Sequence, residues 1–184
     1  MERLKDLFPE FYRLLEEGKG NPIENVLPAA TEDEVRAIEE RLGLLLPLSY
    51  KEFLLCTRGF WLRGGVVAFG EEMPFFHDFP PLATLTAKQQ EMVRRKGGSW
   101  PPPSQGMLCF AEYWLEADGD QVLFDVARGL RDGEYPVMYY AHEEYPPSAE
   151  QVADSFGEWL EKLLTDETFD LDDSEDIPNS EPAP

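Results

Sequence analysis

The feature that most constrains this chain is a change in the spacing of its apolar residues, from helical to alternating and back to helical. Thr31 followed by Glu34 is a capping box, which satisfies backbone donors left open at a helix start. Val35, Ile38 and Leu42 then recur along one helical face, and Gly43 suits the stop. After Leu44-Leu45-Leu46, Pro47 can occupy the first turn of a further helix. That helix is predicted from Leu48 to about Cys56, with Leu48, Phe53, Leu54 and Leu55 as its apolar contacts and Arg58-Gly59 as its end.

From Trp61 the period shortens. Trp61 to Phe69 reads as β structure interrupted at Gly64-Gly65 by a turn or bulge. Glu71 to Pro81, rich in proline and aromatics, is expected to be a loop, and Thr86 to Lys96 a short polar helix. Met107–Trp114 and Gln121–Val126 flank Asp118-Gly119, a hairpin signal, and Pro136–Ala141 supplies a third β-prone run. Ser148 with Gln151 is read as another capping box. It opens a last helix to about Leu164, with Val152, Phe156, Trp159, Leu160 and Leu163 on its buried side. Helices, then a meander of strands, then a closing helix argue for an α+β fold with a central antiparallel sheet.

Both ends add to this unit. Leu4, Leu7, Phe8, Phe11, Leu14 and Leu15 mark an amphipathic helix, which Pro9 either starts or kinks. It packs on the domain or between subunits. The segment after Leu164 holds eight acids and no base, and is expected to be disordered. The expected division is therefore residues 1–30 as helix and linker, 31–164 as the domain, and 165–184 as an acidic tail.

Several of these pieces, in order, resemble the SUKH superfamily, which includes bacterial immunity proteins and the fungal Smi/Knr cell-wall regulators. The resemblance rests on Glu39…Gly43, Leu46-Pro47, Tyr50-Lys51, Phe53-Leu54 and Gly59 in the helical half. In the β half it rests on Trp100-Pro101, Gly119-Asp120, Asp125, Pro136-Val137 and His142, and in the closing helix on Ser155-Phe156 and Trp159-Leu160. Arg58, where the family often has Asn, and the insertion-like Gly129 to Glu134 depart from its pattern. The resemblance implies an α+β protein-binding domain over about residues 31–164. It also implies a cognate toxin, often a nuclease or deaminase, or else a regulatory scaffold role without a toxin.

Signals for chemistry are sparse. His77 and His142 are the only histidines, no His or Cys pair has zinc spacing, and neither Gly pair is framed as a phosphate loop. Asp118-Gly119-Asp120 with Asp125 lacks the rest of a calcium loop. Cys56 and Cys109 lie in apolar runs and read as small buried hydrophobes. His142 is the one residue around which a small hydrolase could be imagined. The expectation is no catalysis, no metal and no cofactor.

Charge points to a class of partner. The chain carries 37 acids against 16 bases, a net charge of −21, and without its tail it still carries 29 acids against the same bases. Such a field repels nucleic acid and speeds association with cationic proteins, although acidity also serves solubility alone. No segment has the apolar length of a membrane span, and Met1-Glu2-Arg3-Leu4 does not open a signal peptide, so a cytoplasmic location is expected. The expected partner is a basic protein, with no direct nucleic acid and no membrane. Aromatic anchors within an acidic rim select Glu71, Glu72, Phe75, Phe76, Asp78, Glu112, Trp114, Glu116 and Asp118 as candidate contacts. The same aromatics could simply fill the core beneath a long loop.

Overall fold

The computed structural model describes residues 2–16, 23–62, 67–68, 73–76, 106–113, 119–142 and 149–165. The N-terminal pattern forms two helices, α1 (Glu2–Leu7) and α2 (Pro9–Glu16). Pro9 opens the second, where its missing N–H costs nothing. After β1 (Ile23–Glu24) come α3 (Glu32–Leu42) and α4 (Leu48–Leu54). The Thr31/Glu34 capping box forms in both directions, and Gly43 ends α3 in the left-handed conformation at φ 70°.

The remaining strands are β2 (Trp61–Leu62), β3 (Val67–Ala68), β4 (Phe75–Phe76), β5 (Met107–Tyr113), β6 (Gln121–Asp125), β7 (Val137–Tyr140) and β8 (Ala149–Ala153), before α5 (Phe156–Thr165). All pairs are antiparallel, in the order β1-β2-β3-β5-β6-β7-β8. The short β4 joins β5 on the same edge that β3 uses nearer the far end. The fold is α+β, as the order of patterns implied.

Register sorts the sheet into two apolar faces. Phe76, Leu108, Phe124, Val137 and Ala153 lie opposite one another across five strands and belong to the larger core. One residue along, Phe75, Cys109, Leu123 and Met138 make a second row, packed with Met107 and Ala149. A two-residue alternation requires this division. The bulge between Cys109 and Ala111 breaks it, so that Phe110 and Ala111 both join the larger core.

That core is built largely of rings. Tyr50 sits 5.3 Å from Phe124 and 5.0 Å from Phe156, and Phe110 stacks on Phe124 at 4.1 Å. Phe8 meets Phe156, while Phe11 reaches Phe53 and Phe60. The N-terminal helices thus contribute buried side chains to the core itself.

Three expectations are corrected. Phe75-Phe76, assigned to a loop, pair as a strand because β5 offers them an open edge. Leu48, assigned to the core of α4, is exposed, and Tyr50 occupies the buried position instead. The closing helix does not begin near Ser148, which lies outside the described residues. Residues 149–153 form β8, with Val152 exposed, because β7 presents an edge to pair with. The operative cap is seven residues later, where Ser155 Oγ accepts the Glu158 N–H at 3.1 Å and Glu158 accepts the Asp154 N–H at 2.8 Å. The predicted helix over 86–96 and the acidic tail from residue 166 lie outside the described residues.

Candidate functional site

Of the nine candidate contacts, Phe75, Phe76 and Glu112 are described; Glu71, Glu72, Asp78, Trp114, Glu116 and Asp118 lie outside the described residues. The three are brought to one pair of strands. Phe75 faces Cys109 and Phe76 faces Leu108 across β4 and β5, while Glu112 lies further along β5 opposite Ala68. Both phenylalanines are half-buried, one against each apolar face of the sheet. Glu112 is also half-buried and accepts a hydrogen bond from Gln121 Nε2 at 2.8 Å. Each therefore combines a packing role with partial exposure.

A tighter polar cluster lies at the start of β6. Asp120, only 7% exposed, accepts three hydrogen bonds: from the Tyr139 hydroxyl, from the His142 backbone N–H at 2.8 Å, and from His142 Nδ1 at 2.8 Å. Burial pushes its carboxyl upward, but the Tyr139 and His142 contacts outweigh this and hold it below the ordinary value. Tyr140 nearby is raised, first by burial and then by the Asp120 charge. Gly119, at φ 99°, lets the ring approach: a Cβ there would lie 3.1 Å from His142 Cγ. Two sequence fragments more than twenty residues apart, Gly119-Asp120 and His142, are thus one structural unit.

An aspartate holding the Nδ1 of a partly exposed histidine is also how a general base is oriented. Here the same carboxylate carries a backbone N–H and a tyrosine hydroxyl, which fix the end of β7 to the β5–β6 turn. Among the described residues, no group of three or more His, Cys, Asp or Glu is placed to hold a metal ion. Neither Cys56 nor Cys109 is disulfide-bonded among the described residues, and burial raises the Cys109 thiol far above its ordinary value. A thiol so raised stays protonated and unreactive.

The residues of the helical signature have structural work. Glu39 Oε1 accepts the Leu46 N–H at 2.8 Å and pairs with Lys51 Nζ at 3.2 Å, tying α3 to the start of α4. The insertion-like 129–134 stretch reaches the same place. Its Glu134 accepts the Ser49 N–H at 2.8 Å and the Ser49 hydroxyl at 2.7 Å, and the Tyr135 hydroxyl donates to the Leu45 carbonyl at 3.1 Å. Asp125, buried at the end of β6, pairs with Arg128 at 2.8 Å.

On the other side of α3 a cavity of about 450 Å³ is lined by apolar Leu27, Pro28, Ala30, Ile38 and Met73. Arg58, the departure from the expected Asn, borders it and pairs with Glu34 at 2.6 Å. No helix among the described residues is long and apolar enough to cross a membrane. Residues 29–162 match the family model of the SMI1 / KNR4 family (SUKH-1). No curated protein matches the chain.

Proposed function

This chain belongs to the SMI1 / KNR4 family (SUKH-1), and we propose that within it the protein is a non-catalytic, cytoplasmic binding domain of the immunity type that neutralises a basic toxin. The observation that carries this reading is the charge: a net −21 on a chain whose acids outnumber its bases even without the tail. A field of that sign draws in a cationic partner, and apolar contacts then set how long it stays. A toxin that acts on nucleic acid has the cationic cleft that such a surface would cover, so a nuclease or deaminase is the partner class favoured. Neutralisation would be steric and electrostatic, with no chemistry on this chain.

The aromatic and acidic positions around β4 and β5 are the proposed contacts. Phe75, Phe76 and Glu112 support this by remaining partly exposed on these paired strands. Glu71, Glu72, Asp78, Trp114, Glu116 and Asp118 extend the proposal along the sequence.

Affinity capture from the native host with the tagged full chain, at low and moderate salt, tests the reading when followed by mass spectrometry. One dominant basic domain, released as salt rises, is the expected result. A set of host regulatory proteins with no basic partner would replace it with a scaffold role, as the Smi/Knr members of the family suggest.

A further inference from the structure

The most exposed large apolar side chains among the described residues, Leu45 at 58% and Leu48 at 54%, stand close together in the segment where α3 gives way to α4, Leu48 being the first residue of α4. That segment is not loosely held. Glu39 takes the Leu46 N–H, Tyr135 donates to the Leu45 carbonyl, the Leu48 N–H donates to the Gly133 carbonyl at 2.9 Å, and Glu134 takes the Ser49 N–H. Leu46 and Pro47 are buried between the two exposed leucines. The backbone is pinned from α3 on one side and from the 131–134 turn on the other, so both leucines are presented in fixed positions. Groups held this way lose little freedom on binding.

The surroundings indicate the charge of what would bind. Leu44 and Leu45 line an open groove of about 380 Å³ together with Arg36, Glu39, Glu40 and Gly43. Arg36 is engaged by Asp33, and Glu39 by Lys51. Glu40 is exposed, with no ion-pair partner among the described residues. Asp132 is likewise exposed and unpaired, in the turn over which Leu48 lies so closely that a Cβ at Gly133 would overlap its side chain. Exposed Arg131 stands in the same turn, but Asp132 and Glu134 outnumber it there and Glu40 adds to them, so the charge beside the leucines is on balance negative.

We propose that Leu45, Leu48 and the adjoining groove form a second docking surface, fitted to a basic protein that sets an apolar side chain against the leucines and a lysine or arginine against Glu40 and Asp132. The inference rests on the reading of the chain as a binder of basic proteins. A second copy of the chain suits the surface less, because it would bring the same acids and its own net charge of −21.

The test uses the ¹⁵N-labelled full chain and two synthetic probes of equal charge, an amphipathic lysine/leucine peptide and an all-lysine peptide. The amphipathic probe should perturb the amides of residues 44–49 selectively and bind more tightly than the all-lysine probe. Its affinity should fall about tenfold in Leu45→Ser/Leu48→Ser and in Glu40→Lys, with thermal midpoints showing both variants folded. Shifts spread evenly over acidic positions, or unchanged affinity in both variants, would overturn the proposal. So would a concentration-dependent dimer that the leucine variant abolishes, which would make the face a self-contact. Capture by the wild-type chain separates the two levels. A basic partner held equally well by the leucine variant sinks this surface alone, whereas the absence of any basic partner sinks the broader reading.

Discussion

Asp120 receives both the backbone N–H and the ring Nδ1 of His142, each at 2.8 Å, so the turn before β6 and the segment just after β7 share one carboxylate. The Tyr139 hydroxyl completes the set from within β7. A buried carboxylate with three donors around it is costly to truncate, because each donor then loses its partner in a site with little water.

Asp120→Ala should lower stability by about 2–3 kcal/mol. The pH dependence has a definite sign. The folded-state carboxyl lies below its ordinary 3.8, so its contribution is present above that value and lost as pH falls through the folded-state value. Thermal midpoints of wild type and Asp120→Asn should therefore converge in acid and separate toward neutrality. A constant gap at every pH would show that the carboxylate charge is not what matters.

His142 allows a sharper distinction between structure and chemistry. His142→Ala should leave capture of a basic partner intact after correction for stability. A hydrolytic activity in the wild-type chain that disappears in folded His142→Ala would instead make the Asp120–His142 pair a catalytic dyad.

The contact between α2 and α5 has a built-in tension. Glu161 is raised, chiefly by burial, and the Glu10 carboxylate raises it further although the Glu10 backbone N–H favours the charge. One Glu161 oxygen is buried without a hydrogen-bond partner. Glu10 itself is held low by Arg13 and stays ionised. A carboxyl raised on folding is least harmful below its ordinary 4.5 and costs stability as pH rises through its folded-state value. Glu161→Gln should thus stabilise the chain by about 0.3 kcal/mol at neutral pH, a small figure because the group is partly solvated, and by nothing in acid. Parallel melting curves across that range provide the check.

Local signals in the sequence were reliable where the chemistry is local. Thr31, Glu34 and Gly43 specify the two ends of α3 because the caps need only neighbouring backbone. At the closing helix the cap read at Ser148 gives way to Ser155 with Glu158, because residues 149–153 pair with β7 instead of extending the helix. That outcome depends on β7 having an open edge, which no local pattern announces. Phe75-Phe76 became a strand for the same reason. The polar cluster shows the limit most clearly. Gly119-Asp120 and His142 were visible as separate fragments, but only antiparallel pairing of β6 with β7 sets Gln121 opposite Tyr140 and so places Asp120 beside His142. The exposure of Leu45 and Leu48 was hidden similarly, since an apolar run predicts burial unless the turn that pins it is known.

That pinning turn yields the last prediction. Pro47 opens α4 without a side-chain cap, and Glu134, distant in sequence, supplies one by taking both the N–H and the hydroxyl of Ser49. Ser49 Oγ in turn accepts the Gly157 N–H of α5 at 3.3 Å, so one carboxylate links a β-side turn to two helices. Glu134→Ala should cost about 1–2 kcal/mol, the usual worth of a helix cap, and Glu134→Gln, which keeps one acceptor, should cost less. Hydrogen exchange gives the discriminating readout. The Leu48 and Ser49 amides should lose protection in Glu134→Ala while β5 and β6 keep theirs, because the lesion frees the start of α4 without opening the sheet. Uniform loss of protection would mean that the turn supports the whole core rather than this junction. Unchanged protection at Ser49 would mean that the cap contributes nothing.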